Sequence, residues 1–146
     1  MLELKQDNTG LSKARSDALK SILADLKPVD QYHLLALTPD LLSQVDFAPP
    51  QALLPVAETN VRRLSHLAVK NNWTGIAGHF LLINQGLGDL HKSAGQKVGT
   101  GFIASKACLH REINRDVDWV FSNHASKIQA IIIDALQQRY PEGGKL

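Results

Sequence analysis

The sequence contains a single cysteine, Cys108, and aromatic residues make up only 5% of its 146 positions. One cysteine cannot form an intrachain disulfide, and no CxxC pair or spaced Cys/His set is present for a structural zinc site. Proteins without disulfides are typical of reducing compartments. We therefore expect a cytoplasmic protein without a structural metal.

Long hydrophobic runs are also lacking. The longest uninterrupted runs, residues 80–83 and 131–133, are far shorter than the roughly 20 apolar residues that a membrane-spanning helix requires. The first residues, MLELKQD, are charged from the third position onward and do not have the pattern of a signal peptide. We expect no membrane segment and no targeting segment.

What is present is an ordinary globular composition, with 44% hydrophobic and 21% charged residues. A chain of this length is long enough to bury one continuous core without disulfides or metals. The sequence therefore predicts a single domain over residues 1–146.

The clearest periodic signal lies in the last third of the chain. Its apolar residues recur at steps of three and four, which is the spacing of one face of an α-helix. They are Ile113, Val117, Val120, Phe121, Ala125, Ile128, Ile131, Ile132, Ala135 and Leu136. This pattern predicts a C-terminal helix of about 25 residues, either continuous with a preceding helix or separated from it near Asn114.

Earlier segments show similar helical spacing. Residues 11–26 follow a possible cap at Thr9 or Ser12, and Thr38-Pro39-Asp40 has the residues of a helix start. Residues 53–68 and 76–87 give two more apolar stripes, and no segment alternates convincingly enough to indicate a strand. The predicted fold class is all-α, a compact bundle of five to six helices with a long C-terminal helix.

Residues 86–101, GLGDLHKSAGQKVGTG, contain five glycines and are predicted to form a loop. Free amides beside Lys97 could hold a phosphate, but the spacing matches neither GxxxxGK[ST] nor GxGxxG. A mobile or partner-ordered connection is the favoured interpretation of this loop.

Positive charge is concentrated in residues 91–115, where five basic side chains accompany one acidic side chain. On a continuous helix Arg111, Arg115, Trp119, Ser122 and Ser126 would share one face, with guanidinium groups for phosphates and an indole for base stacking. We therefore predict a subunit of a larger complex that contacts RNA or DNA backbone with low sequence specificity. The predicted contact residues are Lys92, Lys97, Lys106, Arg111, Arg115 and Trp119.

The alternative interpretation is that these charges lie on the solvated face of a surface helix. Trp119, Ala130 and Ile133 would then form a second apolar face that binds a protein partner or a second copy of the chain. Under this interpretation the protein is an interaction module, such as an adaptor, chaperone or inhibitor.

No catalytic or metal-binding constellation is recognisable. The six histidines do not form HExxH or HxxxH pairs, and His124 is expected to be a buried histidine within the apolar stripe. Cys108 has no base on its own helical face, and no serine has the context of a nucleophile elbow. The sequence therefore predicts that the protein is not an enzyme and has no cofactor or catalytic metal.

Overall fold

The computed structural model describes residues 1–5 and 10–139, in which β-strands and α-helices alternate along the chain. The strands are β1 (Leu2–Glu3), β2 (Leu34–Ala36), β3 (Leu53–Ala57), β4 (Gly75–His79), β5 (Lys97–Gly101) and β6 (Trp119–Phe121). The helices are α1 (Lys13–Ile22), α2 (Pro39–Ser43), α3 (Val61–Lys70), α4 (Gln85–Ser93), α5 (Lys106–Asn114) and α6 (Ala125–Arg139). A 3-10 turn, Pro50–Ala52, precedes β3.

The six strands form one sheet in chain order, and every neighbouring pair is parallel. Parallel neighbours need a crossover connection, and a helix between each two strands supplies it here. The predicted all-α bundle is therefore wrong, and the fold is α/β with the singly wound strand order of a (β/α) barrel.

The strands escape sequence detection because both of their faces are buried. A strand that packs on two sides loses the alternation of apolar and polar residues by which strands are recognised. All three residues of β2 are buried, and so are four of the five residues of β3. Leu53, Leu54 and Ala57 thus fit a helical stripe by spacing although they lie on a strand.

The outer face of the sheet packs against the helices in two clusters. Leu34 and Leu53 pack with Leu42 of α2 and Ala68 of α3. Ile76, Ala57 and Val98 pack with Leu64 of α3. These buried side chains pack the helices against one face of the sheet. The side chains on the opposite face form a separate cluster.

The inner face carries alternate residues of the same strands, namely Leu35, Leu54, Val56, Ala77, Trp119 and Phe121. The sheet is strongly curled around them. His33 precedes β2 and Trp119 begins β6, so four strand spacings of about 4.8 Å would separate them by roughly 19 Å in a flat sheet. Their ring centroids are only 5.1 Å apart. The inner cluster is therefore the core of a barrel-like curl.

The predicted 25-residue helix is interrupted by β6. α5 ends at Asn114, and Asp116 has a left-handed backbone with φ of 57°. The Asp118 carboxylate accepts a hydrogen bond from the Val98 amide at 2.8 Å, and the Asp118 amide donates to the Val98 carbonyl at 2.9 Å. These bonds start the pairing of β5 with β6. α6, with 15 residues, is the longest helix of the described chain.

The glycine-rich segment 86–101 is not a loop. Asn84 caps α4 by accepting a hydrogen bond from the Leu87 amide at 3.0 Å, and β5 occupies the end of the segment. A Cβ atom at Gly99 would lie 2.7 Å from the Phe121 ring. This glycine therefore makes room for an aromatic side chain on the inner face.

Two predicted helix starts are confirmed. Ser12 accepts a hydrogen bond from the Arg15 amide at the start of α1, and Pro39 occupies the first turn of α2. Within residues 1–5 and 10–139, no helix combines the length and the apolar character needed to cross a bilayer.

Candidate functional site

A cavity of about 930 Å³ opens at the carboxyl ends of the strands. Side chains from the ends of all six strands line it, so residues from the first and the last strand face the same space. Its polar lining consists of Glu3, Glu58, Thr59, His79, Ser122 and Asn123. In (β/α) barrels the carboxyl ends of the strands are where catalytic residues occur.

Parallel pairing brings the polar residues of neighbouring strands to the same level. Ala57 of β3 is paired with Gly78 of β4, so Glu58 and His79 occupy the next position on adjacent chain segments. Glu3 ends β1 and points with Leu35, its partner on β2, toward the same cavity. Two carboxylates and one imidazole therefore line the same cavity where the strands end.

His79 has a defined tautomer. The Leu81 amide donates a hydrogen bond to His79 Nδ1 at 3.1 Å, so the neutral ring carries its proton on Nε2. The ring also stacks against Phe80, with centroids 4.5 Å apart, and against Phe102, with centroids 5.0 Å apart. These contacts orient a hydrogen-bond donor at the cavity.

Phe102 itself is strained. Its φ of 65° is in the left-handed region, which costs a residue other than glycine about 1 kcal/mol or more. Burial of the aromatic ring does not offset this strain, because 66% of Phe102 is exposed to solvent. A strained, exposed aromatic residue beside an oriented histidine is typical of a functional site.

The carboxylates offer two kinds of chemistry. Glu58 is exposed at the cavity and could accept a proton from water, and carboxylate oxygens are also ligands for Mg²⁺ or Ca²⁺. Within the described part of the chain, no three His, Cys, Asp or Glu side chains cluster as metal ligands would. Glu3 and Glu58 could thus supply two oxygen ligands of a cation site, but not a complete set.

Arg115, a predicted phosphate contact, is held inside the protein. It donates to Glu112 Oε2 at 2.8 Å, to the Ile83 carbonyl, and to Gln85 Oε1 at 3.4 Å. Arg111 donates to Glu112 Oε1 at 2.8 Å and lies over the Phe80 ring, 4.7 Å from its centroid. Both guanidinium groups serve one buried carboxylate and do not form a strip with Trp119.

The three predicted lysines have different surroundings. Lys92 donates to Asp116 at 2.8 Å and to the Arg115 carbonyl at 3.1 Å. The hydrogen bond from Lys92 lowers the pKa of the Asp116 carboxyl. Lys97 lies over the Trp119 ring at the amino end of β5, and Lys106 is an exposed residue at the start of α5. Lys97 begins β5, whereas Lys106 follows the other end of that strand.

The predicted interface residues are also separated. Trp119 belongs to the inner cluster of the sheet, whereas Ala130 and Ile133 are exposed on α6. The structure does not bring these three residues onto one helix face. His124, expected within an apolar stripe, is exposed in the turn before α6.

A second polar constellation lies between α3, α4 and β5. The Gln96 amide nitrogen donates to the carbonyls of Ala68 and Trp73, each at 2.8 Å, which leaves its oxygen to accept from His91 Nδ1 at 2.8 Å. His91 Nε2 then accepts from the Ser65 hydroxyl at 2.9 Å. The hydrogen-bonded order Ser65, His91, Gln96 resembles the nucleophile, base and orienting group of a catalytic triad, but all three side chains are buried. We assign this relay a structural role.

Sequence reasoning missed Glu3, Glu58, His79 and Phe102 because the strands themselves were missed. One signal was available, since a short apolar segment followed by a polar residue occurs at LLPVAE and at GIAGH. In a (β/α) barrel the same unit repeats along the chain: a strand, a polar residue at its carboxyl end, and then a helix.

The fold resembles several solved structures. A phosphodiesterase from Oleispira antarctica, in complex with the product sn-glycerol-3-phosphate, has a TM-score of 0.72 and 23% identity, over 90% of this chain and 53% of that one. Two proteins named as glycerophosphoryl diester phosphodiesterases give similar values. The Silicibacter pomeroyi protein has a TM-score of 0.74 and 16% identity, over 92% of this chain and 50% of that one. The Agrobacterium tumefaciens protein has a TM-score of 0.71 and 14% identity, over 92% and 57%.

The chain spans about half the length of these structures. No protein-family model matches the sequence, and no curated protein matches it either. Identities of 14–23% relate this chain to the phosphodiesterase structures by fold.

This likeness corrects the predicted function. The helical nucleic-acid-binding subunit is wrong, and so is the helical adaptor, chaperone or inhibitor, because both required an all-α bundle with one long helix. The prediction that the chain is not an enzyme is also wrong. It rested on the lack of a catalytic motif in the local sequence, whereas the fold is one that phosphodiesterases have. The chain has an α/β fold similar to that of glycerophosphodiester phosphodiesterases, with a cavity at its strand ends.

Proposed function

We propose that this chain forms the strand-end part of the active site of a phosphodiesterase acting on a glycerol-based phosphodiester. The observation that carries the proposal is that His79, Glu58 and Glu3 line one cavity at the carboxyl ends of parallel strands, with Glu58 and His79 on adjacent strands. The sn-glycerol-3-phosphate bound by the Oleispira antarctica phosphodiesterase supplies the substrate class.

His79 is suited to bind the phosphoryl group. Its Nδ1 already accepts a hydrogen bond from the Leu81 amide, so Nε2 carries the proton that a phosphoryl oxygen would accept. A neutral imidazole held in this way stabilises negative charge that develops on a phosphoryl oxygen. We therefore assign His79 the role of an oriented donor to phosphate.

Glu58 is suited to activate water. In the proposed hydrolysis, water oxygen forms the new P–O bond and the ester P–O bond breaks. The Glu58 carboxylate accepts a proton from that water and passes it to the oxygen of the departing alcohol. Glu58 follows the residue paired with Gly78, which places it beside His79 at the same end of the sheet.

A protein partner or a second copy of the chain, predicted from the sequence for another surface, is proposed here for the edges of the sheet. Among the described residues, β1 and β6 each pair on one side only. An unpaired edge accepts a further strand, and a barrel of this kind has eight. We propose that further strands bind between β6 and β1 in the active form, and that the protein acts in the cytoplasm, where its single cysteine stays reduced.

A ligand titration tests the assignment of His79. sn-Glycerol-3-phosphate is added to the protein while the histidine side-chain resonances are followed by NMR. We expect saturable shifts of the His79 resonances, loss of binding in His79→Ala, and unchanged binding in His110→Ala, which alters an exposed histidine on α5. Equal binding by both variants, or no shift at His79, would refute the assignment.

An activity assay tests the assignment of Glu58. Release of sn-glycerol-3-phosphate from glycerophosphocholine is expected to fall by about 10²-fold or more in Glu58→Gln, because the general base is lost. Glu112→Gln is unsuitable as a control because that carboxylate is buried. Asp89→Asn, on the exposed face of α4, provides the matched control. Activity in Glu58→Gln equal to that in Asp89→Asn would rule out the proposed base.

A further inference from the structure

The rim of the strand-end cavity is apolar and exposed. Three large apolar residues that follow strands line the cavity mouth: Leu37 after β2, Leu81 after β4 and Phe102 after β5. All three are exposed to solvent, Leu37 by 42%, Leu81 by 69% and Phe102 by 66%. Large apolar side chains that cluster at a cavity mouth cost hydration free energy unless something covers them. This cluster, called the apolar rim below, therefore points to a ligand with an apolar part.

The apolar surface continues from the rim into the cavity. Leu35, Val56 and Phe121 line the inner wall, so an extended chain entering past the rim would meet apolar side chains along its path. The polar groups of the cavity are confined to a few positions, among them His79 and Glu58. The cavity thus combines a small polar region, to which we assign the phosphate, with a longer apolar surface.

Phe102 joins these two regions. Its ring stacks on His79 and is also part of the apolar rim. Its left-handed backbone keeps the ring at the cavity mouth, although a buried position would be the ordinary one for phenylalanine. A ligand bound at His79 would therefore place its neighbouring atoms directly against the apolar rim.

We propose that the substrate is a monoacylated or monoalkylated glycerophosphodiester, whose hydrocarbon chain lies on Leu37, Leu81 and Phe102 while its phosphate meets His79. This inference rests on the proposed phosphodiesterase function and names its substrate class. A chainless glycerophosphodiester would occupy the phosphate region and leave the apolar rim in water.

A chain-length series tests the inference. Glycerophosphocholine and its 1-acyl derivatives with four, six and eight carbons are compared, all below their critical micelle concentrations, by binding to the protein and by rate of hydrolysis. We expect affinity to rise up to about fourfold per added methylene until the rim is covered. The variants Leu37→Ser and Leu81→Ser should reduce this increment, whereas Leu90→Ser, an exposed leucine of α4 outside the cavity, should not.

The outcomes separate the two proposals. Binding of glycerophosphocholine at His79 without any gain from the acyl chain overturns the substrate class and leaves the phosphodiesterase function standing. Octanol or octyl glucoside binding as well as the acylated diester, with no response at His79, overturns the phosphate site and hence the function. A chain-length gain that both rim variants retain means binding elsewhere and refutes the inference.

A covering protein surface is the remaining outcome. If the apolar rim is buried between two copies of the chain, Leu37→Ser and Leu81→Ser will convert a dimer into a monomer by light scattering. The acyl chain would then compete with dimer formation or fail to bind. That result would overturn the proposed substrate class.

Discussion

Glu112 and Arg115 form an ion pair at 2.8 Å in which the Glu112 side chain is fully buried. Arg111 donates to the other carboxylate oxygen, also at 2.8 Å. Arg115 also donates to the carbonyl of Ile83, which lies between β4 and α4, and to the side chain of Gln85, the first residue of α4. The pair therefore ties α5 to the segment that follows the strand carrying His79.

Removing Arg115 is expected to be strongly destabilising. Arg115→Met leaves the Glu112 charge buried with one partner fewer, a change that costs about 3–5 kcal/mol of unfolding free energy when a buried pair is broken. Arg62→Met, an exposed arginine on α3, should stay within about 0.5 kcal/mol of the parent. Urea denaturation measures both variants. Similar values for the two would refute the structural role of the Arg115–Glu112 pair.

Two glycine-to-alanine substitutions should have opposite effects. A Cβ atom at Gly75, where φ is 154°, would lie 1.8 Å from the Lys97 carbonyl oxygen, so Gly75→Ala must disrupt the pairing of β4 with β5. Gly88 lies within α4 with no neighbouring atom inside 4 Å of its added Cβ. Gly88→Ala is therefore expected to raise the unfolding free energy by about 0.5–1 kcal/mol. Thermal unfolding checks both. A Gly75→Ala protein with parental stability would mean that the strands are wrongly paired.

Stability is expected to rise with pH as the pH approaches the ordinary histidine pKa of 6.5 from below. Burial lowers the pKa of His91, and burial together with the charges of Lys97 and the N-terminus lowers the pKa of His33, both from 6.5. The unfolded chain therefore binds these protons at a higher pH than the folded chain does. The stabilisation is complete above about pH 6.5 and is lost as the pH falls toward the folded-state values.

The pH dependence can be assigned by substitution. His91→Gln removes one titrating group and should flatten the dependence of the urea midpoint on pH, although it also weakens the Ser65–His91–Gln96 relay. His66→Gln replaces an exposed histidine of the neighbouring helix α3 and serves as the control. If the urea midpoint of both variants changes with pH as steeply as that of the parent, His91 is not the source of the pH-dependent stability.

Phe102 should show a conflict between stability and binding. Phe102→Ala removes the ring but keeps a side chain in the left-handed region, whereas Phe102→Gly removes the ring and the strain together. We expect the glycine variant to be more stable than the alanine variant by about 1 kcal/mol in urea denaturation. Both should bind sn-glycerol-3-phosphate severalfold more weakly, because His79 loses a stacking partner. Equal stability of the two variants would argue against strain at this position.

Helices and their caps followed from local chemistry. Ser12 and Pro39 identified the starts of α1 and α2, because capping and the restricted φ of proline depend only on neighbouring residues. Residues 61–70 were predicted as part of a helix and form α3. The same spacing rule failed for residues 53–57 and 76–79, which lie on strands with both faces buried.

The candidate site depended on pairings between residues distant in the sequence. Glu58 and His79 are 21 positions apart, and only the parallel register of β3 with β4 places them side by side. Arg111 and Arg115 had the residue types of a phosphate site, but both pair with the buried carboxylate of Glu112. The first relationship leaves no trace in local spacing. The second is visible as an i,i+3 pair of Glu112 and Arg115, but its burial is decided by tertiary packing.

The sequence by itself determined the helix caps, the absence of an intrachain disulfide and the apolar content that a buried core requires. Tertiary structure alone decided that short apolar segments pair as a parallel sheet, that the sheet curls until His33 meets Trp119, and that strand ends share one cavity. The physical reason is the range of the interactions. Capping and backbone strain act over a few residues, whereas strand register and the sharing of buried charge are set by contacts between distant segments.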